Sequence, residues 1–177
     1  LKDGKIDLTD IGLAEEDIRR TSQIYIVACG SAYHVGMVAQ YVIEDLVKIP
    51  VRVELASEFR YRKPILDPNG LVIIISQSGE TADSLAALRE TKAQGIRTLG
   101  IVNVVGSSIA READKVFYTL AGPEISVATT KAYSTQLMAS YILAIEFAKV
   151  KNTITEEQYE NYIAELQAIP EKIEKII

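Results

Sequence analysis

The sequence predicts an α/β fold: a three-layer α/β/α sandwich around a five-stranded parallel sheet. Two observations carry the prediction. Short apolar runs, two of them apolar throughout as strands buried on both faces are, recur along the chain. Between them lie segments whose apolar residues return every three to four positions, which is the period of a helix. Strand–helix alternation of this kind gives a parallel sheet covered on both faces. At 177 residues the chain has room for one domain with an appended helix, and 48% hydrophobic residues are enough to fill its core.

The first run, Ile24–Ala28, is too short for a buried helix and is closed by Cys29 and Gly30. Val35, Val38, Ala39, Val42, Ile43 and Leu46 then mark a helix of about four turns, ended by Pro50. Residues 51–55 alternate, Val51, Val53 and Leu55 against Arg52 and Glu54, as an edge strand with one wet face does. Residues 71–75 are five consecutive aliphatics and make the central strand. A helix over 82–94 follows, stopped by Gly95. Residues 97–102 and 115–119 supply the fourth and fifth strands. The helix over 130–149 is apolar around much of its circumference and should be well buried. In the tail, Tyr159, Tyr162, Ile163, Leu166, Ile169, Ile173 and Ile176 fall at helical spacing behind a capping box of Thr155 and Gln158. Pro170 is expected to divide this tail into two helical pieces. The domain is placed at 23–150, with a lead-in segment at 1–22 and a helical extension at 151–177. Five strands suit a flavodoxin-like order, with the ligand site at the carboxyl ends of the strands, where the strand order reverses.

Composition excludes several classes. Lys and Arg number 19 against 24 Asp and Glu, a net charge of −5, which argues against a general nucleic-acid binder. No stretch approaches the ~20 apolar residues that span a bilayer. One cysteine forms no internal disulfide, and one cysteine with one histidine builds no four-ligand zinc site. Nothing in the sequence calls for a metal or an organic cofactor. A cytoplasmic location is expected, and Leu1 in place of Met points to a trimmed terminus or to a domain cut from a longer protein.

Hydroxyls gather where strands end. Ser31 follows the first strand, Ser76, Gln77, Ser78 and Thr81 follow the central one, and Thr129 and Thr130 precede the long helix. A helix N-terminus carries free N–H groups and roughly half a positive charge. Ser and Thr are also the favoured helix caps, so a single such loop reads either way. Four hydroxyl or amide side chains in six residues exceed what one cap needs, and Gly79 lets the backbone come close. Competing phosphate motifs fail. Gly30-Ser31-Ala32 lacks the second glycine of a dinucleotide fingerprint, Gly4-Lys5 is no P-loop, and Ser78 sits in no nucleophile elbow. His34, early in its helix, reads as a capping or packing residue more than a base. Cys29, ending a buried strand with no basic neighbour, reads as an inert thiol. Glu80 is placed in the first turn of its helix, where a carboxylate suits the dipole. Lys131 is open between facing a ligand and facing water.

The stretches Cys29-Gly30-Ser31-Ala32-Tyr33-His34, Ser76-Gln77-Ser78-Gly79-Glu80-Thr81-Ala82-Asp83 and Gly122-Pro123-Glu124-Ile125-Ser126-Val127-Ala128-Thr129-Thr130-Lys131-Ala132 resemble a sugar isomerase (SIS) domain. With 54–62 and 103–108, the likeness extends to the first of two such domains in the isomerising glutamine–fructose-6-phosphate aminotransferases, which make glucosamine 6-phosphate from fructose 6-phosphate and glutamine. The resemblance implies that Ser31, Ser76, Gln77, Ser78 and Thr81 hold the phosphate of a hexose 6-phosphate, with Cys29, Val127 and Thr129 toward the sugar. The family's first loop carries a serine where this chain has Ala32, so one donor is missing. The family's V-A-S-T-K run has Thr129 in place of its serine.

The resemblance further implies a homodimer, with apolar surface on 159–176 and 130–149 to bury. It implies a separate glutaminase and a second SIS domain, and a His, a Glu and a Lys for ring opening and proton transfer that lie beyond this stretch. No catalytic residue is therefore assigned within it, and the chain alone is expected to bind sugar phosphate without turning it over. A deaminase or deglycase of amino-sugar phosphates, or a sugar-phosphate-sensing regulatory module, are the competing readings.

Overall fold

The structure, a computed structural model, describes residues 2, 4–126 and 129–177. Five strands form one sheet: β1 (Ile24–Ala28), β2 (Val51–Leu55), β3 (Leu71–Ser76), β4 (Arg97–Val102) and β5 (Lys115–Tyr118). All neighbours are parallel, in the order β2-β1-β3-β4-β5. The register sets Ile24 between Val51 and Leu71 and pairs Ser76 with Val102. The apolar pattern explains the order. β1 and β3 are buried along their whole length and occupy the interior, while β2, with Arg52 and Leu55 exposed, lies at an edge. β5, half-buried throughout, forms the other edge.

Among the described residues the α-helices are α1 (Glu15–Arg20), α2 (Gly30–Val47), α3 (Ala56–Arg62), α4 (Ala82–Ala93), α5 (Ser108–Glu112), α6 (Lys131–Val150) and α7 (Glu156–Glu174). Successive strand residues point to opposite faces, and the core divides accordingly. Ile24, Ile26, Ala28, Leu71, Ile73 and Ile75 face α2 and α6. Tyr25, Val27, Val72 and Ile74 face Phe59 of α3, Leu88 of α4 and Ile109 of α5. The expected three-layer sandwich is thus formed. β1 sends its helix to one face and β3 sends α4 to the other, so a crevice opens between their carboxyl ends.

Three short helices were not legible in the sequence: α1, α3 and α5 are too brief to display a period. The tail differs from expectation. Pro170 does not divide it, and α7 runs unbroken from Glu156 to Glu174. The proline removes one ladder bond, to the carbonyl of Leu166. It does so near the end of a helix already established by the Thr155–Gln158 capping box and by burial of Tyr159 and Ile163, and from Pro170 onward every residue is exposed.

Tyr159 also fastens the lead-in segment. Its hydroxyl accepts the N–H of Ile6 at 2.9 Å and donates to Glu146 Oε2 at 2.9 Å, and Lys149 Nζ lies 4.3 Å from its ring centre. Burial pushes the Tyr159 phenol up to about 12 and raises the Glu146 carboxyl above its ordinary value. Among the described residues, no helix is long and apolar enough to cross a membrane.

Candidate functional site

The loop after β3 is shaped by its own hydroxyls. Ser76, the last residue of the strand, accepts the Gly79 N–H at 3.1 Å, and its Oγ lies 3.0 Å from Thr81 Oγ1. The Glu80 N–H donates to Ser78 Oγ at 3.2 Å. Gly79 makes the turn at φ +66°, in the left-handed region that a side chain disfavours. From outside, the Asn103 N–H donates to the Gln77 carbonyl at 3.1 Å and the Ile109 N–H to the Gly79 carbonyl at 3.0 Å. The loop is therefore pinned to the end of β4 and to α5.

Thr81 is the N-cap of α4, yet its side chain makes no cap bond. Its hydroxyl is turned to Ser76 instead. Cys29, the N-cap of α2, makes no side-chain cap bond either. Both helix N-termini reach the same cleft with N–H groups that no capping side chain satisfies, and such groups attract anions. The Thr81 hydroxyl therefore does not cap α4, whereas the Ser76 and Ser78 hydroxyls accept backbone N–H groups of their own loop.

The cleft has a volume of about 280 Å³ and is lined mainly by polar groups. It brings together Cys29, Ser31, Ser76, Gln77, Ser78, Thr81 and Thr129, with Ala32 beside Ser31. Ser76 is buried and the others are half-buried. Val127 lies outside the described residues. No basic side chain lines the cleft among the described residues. A larger cavity of about 480 Å³ lies elsewhere, between the lead-in segment, β5, α6 and α7. Its lining is dominated by Ile, Leu, Val and aromatic side chains, so it offers little to hold a phosphate.

Three polar lining residues escaped the sequence reading as site residues: Glu124, Ser126 and Gln136. The signal for Gln136 was available, since it is a buried polar residue on the stripe that carries Ala132, Ala139 and Leu143. Glu124 gathers the turn before α6. Its Oε2 accepts the N–H groups of Thr130 (3.2 Å) and Ala132 (3.3 Å) and the hydroxyl of Thr129 (3.4 Å), while Oε1 accepts the Ser126 N–H (3.2 Å). The backbone bond from Thr130 leads in holding its carboxyl below the ordinary value.

Other candidates fall away from the cleft. Glu80 precedes α4 rather than lying in its first turn, and it serves α5: its Oε1 accepts the Ser108 N–H at 2.7 Å, which lowers its pKa. His34 is exposed, with its ring edge-on to Tyr33 at 5.6 Å between centroids. Lys131 is exposed and does not line the cleft. Cys29 is half-buried rather than buried and lies on the cleft wall. Among the described residues, no three His, Cys, Asp or Glu side chains gather closely enough to hold a metal ion.

Comparison with known proteins agrees with this architecture. Over 176 residues the chain is 56% identical to the isomerising glutamine–fructose-6-phosphate aminotransferase of Clostridium tetani, a match spanning 99% of this chain and 29% of the relative. The C-terminal domain of glucosamine-fructose-6-phosphate aminotransferase from Francisella tularensis superposes with a TM-score of 0.90 at 48% identity, covering 96% of this chain and 47% of that one. Glucosamine-6-phosphate deaminase from Thermotoga maritima, at 24% identity and a TM-score of 0.70 over 89% of this chain and 50% of that one, shares the fold. The chain thus spans less than a third of the length of the curated relative and about half of the solved domain. Residues 17–146 match the SIS domain, and the chain belongs to the SIS domain family.

Proposed function

We propose that this chain is the sugar-phosphate-binding SIS domain of an enzyme that makes glucosamine 6-phosphate from fructose 6-phosphate and glutamine. One observation carries the binding reading: the N-termini of α2 and α4 open, without side-chain caps, into one hydroxyl-lined cleft at the point where strand order reverses. The 56% identity to an aminotransferase of this type supports the assignment to that enzyme.

The phosphate sits at the α4 end. The hydroxyl of Ser78, the amide of Gln77 and one hydroxyl of the Ser76–Thr81 pair, the other donating within the pair, donate to its oxygens, with Ser31 donating from the α2 side. Hydrogen bonds to a charged group contribute about 1.5–3 kcal/mol each, and two helix dipoles add to them. The phosphate is held without arginine, by dipoles and neutral donors. The sugar extends toward Cys29 and Thr129. The domain acts in the cytoplasm, as part of a homodimer whose remaining domains supply ammonia and the acid–base groups for isomerisation.

Calorimetric titration with glucosamine 6-phosphate and with glucosamine tests the binding reading. The phosphorylated sugar should bind far more tightly, and equal affinity overturns the phosphate cradle. Assays of the purified chain should detect no glutamine hydrolysis and no sugar isomerisation; turnover of either would overturn the division of labour.

A further inference from the structure

Three helices of twelve residues or more aim their N-termini at the cleft: α2, α4 and α6. Each end carries roughly half a positive charge, so dipoles alone would let the cleft take an anion at any of the three. The end of α6 differs from that of α2, which has no acid in its first turn, and from that of α4, whose Asp83 is paired with Arg60, because here a carboxylate accepts the helix's own N–H groups. The Glu124 carboxylate accepts the N–H groups of Thr130 and Ala132, with the Thr129 hydroxyl on the same oxygen. A full negative charge against half a positive one leaves this end net negative where it faces the cleft; Lys131, which attracts the carboxylate, is exposed and does not line the cleft. The other groups nearby, Ser126, Thr129 and Gln136, are neutral donors and acceptors suited to hydroxyls.

We infer that Glu124 is a specificity-determining residue: it polarises the cleft so that one phosphate enters at the α4 end and a ligand bearing a second anionic group at its far end is rejected. The ligand class is a monophosphate of a neutral or cationic polyhydroxylated chain. Sugar-acid phosphates and sugar bisphosphates are excluded by like-charge repulsion, which acts strongly where the walls displace water. Both carboxylate oxygens are used, so Glu124 also holds the turn that carries Thr129. This inference rests on the proposed sugar-phosphate site.

The test compares fructose 6-phosphate with 6-phosphogluconate, which carries a carboxylate at the carbon farthest from its phosphate, by calorimetric titration of the 177-residue chain. The wild-type chain should prefer fructose 6-phosphate by at least about tenfold, the effect of one unfavourable charge contact of roughly 1.4 kcal/mol. Glu124→Gln, which removes the charge and gives up the bond accepted from the Ser126 N–H, should shrink that ratio about tenfold. Glu124→Asp keeps the charge and should keep most of the ratio. A wild-type ratio near one overturns the inference, as does an unchanged ratio in a Glu124→Gln protein that still binds fructose 6-phosphate. Should Glu124→Gln lose all binding, the wild-type ratio at rising salt decides: repulsion is screened and the ratio falls, whereas a ratio independent of salt overturns the inference. Failure of the wild-type chain to bind fructose 6-phosphate at all is a separate result, which removes the sugar-phosphate site itself.

Discussion

The hydroxyl of Ser107 fills the space that a methyl group on residue 79 would need. Ser107 is itself buried, and its Oγ has no hydrogen-bond partner, so the close approach reflects packing alone. Residue 79 must therefore be glycine twice over, for its φ of +66° and for this contact. A left-handed conformation costs a side-chain-bearing residue about 1–2 kcal/mol before any clash is counted. Gly79→Ala should destabilise the chain by at least that much in urea denaturation, and it should abolish phosphate-dependent binding because the Gly79 N–H is displaced from Ser76.

Thr81→Val separates binding from folding. The Thr81 hydroxyl meets Ser76 and does not cap α4, so stability should fall by only about 0.5–1.5 kcal/mol, the net worth of one neutral hydrogen bond. Affinity for glucosamine 6-phosphate should fall about tenfold or somewhat more, since a bond to a charged oxygen is lost. Ala32→Ser should act in the opposite direction, adding a donor on the α2 side of the cleft. Titration of the two variants in parallel measures both effects.

Asp83 lies in the first turn of α4, close to the proposed phosphate position, and Arg60 from α3 donates to its Oδ1 at 2.7 Å. Pairing with Arg60 is expected to limit how far the Asp83 charge opposes the proposed phosphate. Arg60→Ala should weaken hexose-phosphate binding about two- to fivefold, the range of a charge acting at a helix end. Arg60→Lys should recover most of the loss. The deficit should shrink at high salt, which a purely structural role for Arg60 would not produce.

Tyr159→Phe removes the partner of both the Ile6 N–H and the Glu146 carboxylate. The expected loss is about 1–3 kcal/mol, a fall in Tm of about 2–4 °C per kcal/mol at this chain length. Protease cleavage near residue 6 should accelerate.

Glu146 is held above the ordinary carboxyl pKa, chiefly by burial. The folded state therefore binds its proton more tightly than the unfolded chain does. Its contribution is most favourable below the unfolded pKa and is lost as pH rises through the raised folded value. Glu146→Gln, which can still accept from Tyr159, should leave stability unchanged or raised at neutral pH and should flatten this part of the stability profile in denaturation measured from pH 4 to pH 7.

Much of this molecule is legible in its sequence. Ile24–Ala28 and Leu71–Ser76 announce themselves because strands buried on both faces tolerate few polar residues, and the two together fix the crevice. The alternation of 51–55 marked an edge and β2 is one. The hydroxyls after β1 and β3 were legible as a group, and the structure brings them into one cleft. Their freedom from capping duty was not legible, because it depends on where the Thr81 hydroxyl turns. Glu80 and Glu124 illustrate the same limit. Each carboxylate serves the N-terminus of a helix that begins many residues from its own turn of chain or across a loop, and local pattern carries no trace of such pairings. The failure at Pro170 is of another kind: propensity predicted a break, and the packing of Tyr159 and Ile163 with an exposed end outweighed it.

The bonds from Asn103 and Ile109 to the loop after β3 bear on the thermodynamics of recognition. Association usually spends part of its free energy on freezing loops and rotors. Here the backbone of 77–79 is already immobilised by contacts that owe nothing to a ligand, and the Ser76 hydroxyl is buried and engaged on two sides. The entropy of ordering was surrendered when the chain folded. For the proposed phosphate site this predicts binding by a few neutral dipoles, with on-rates set by diffusion into an open crevice rather than by a closing motion of this loop.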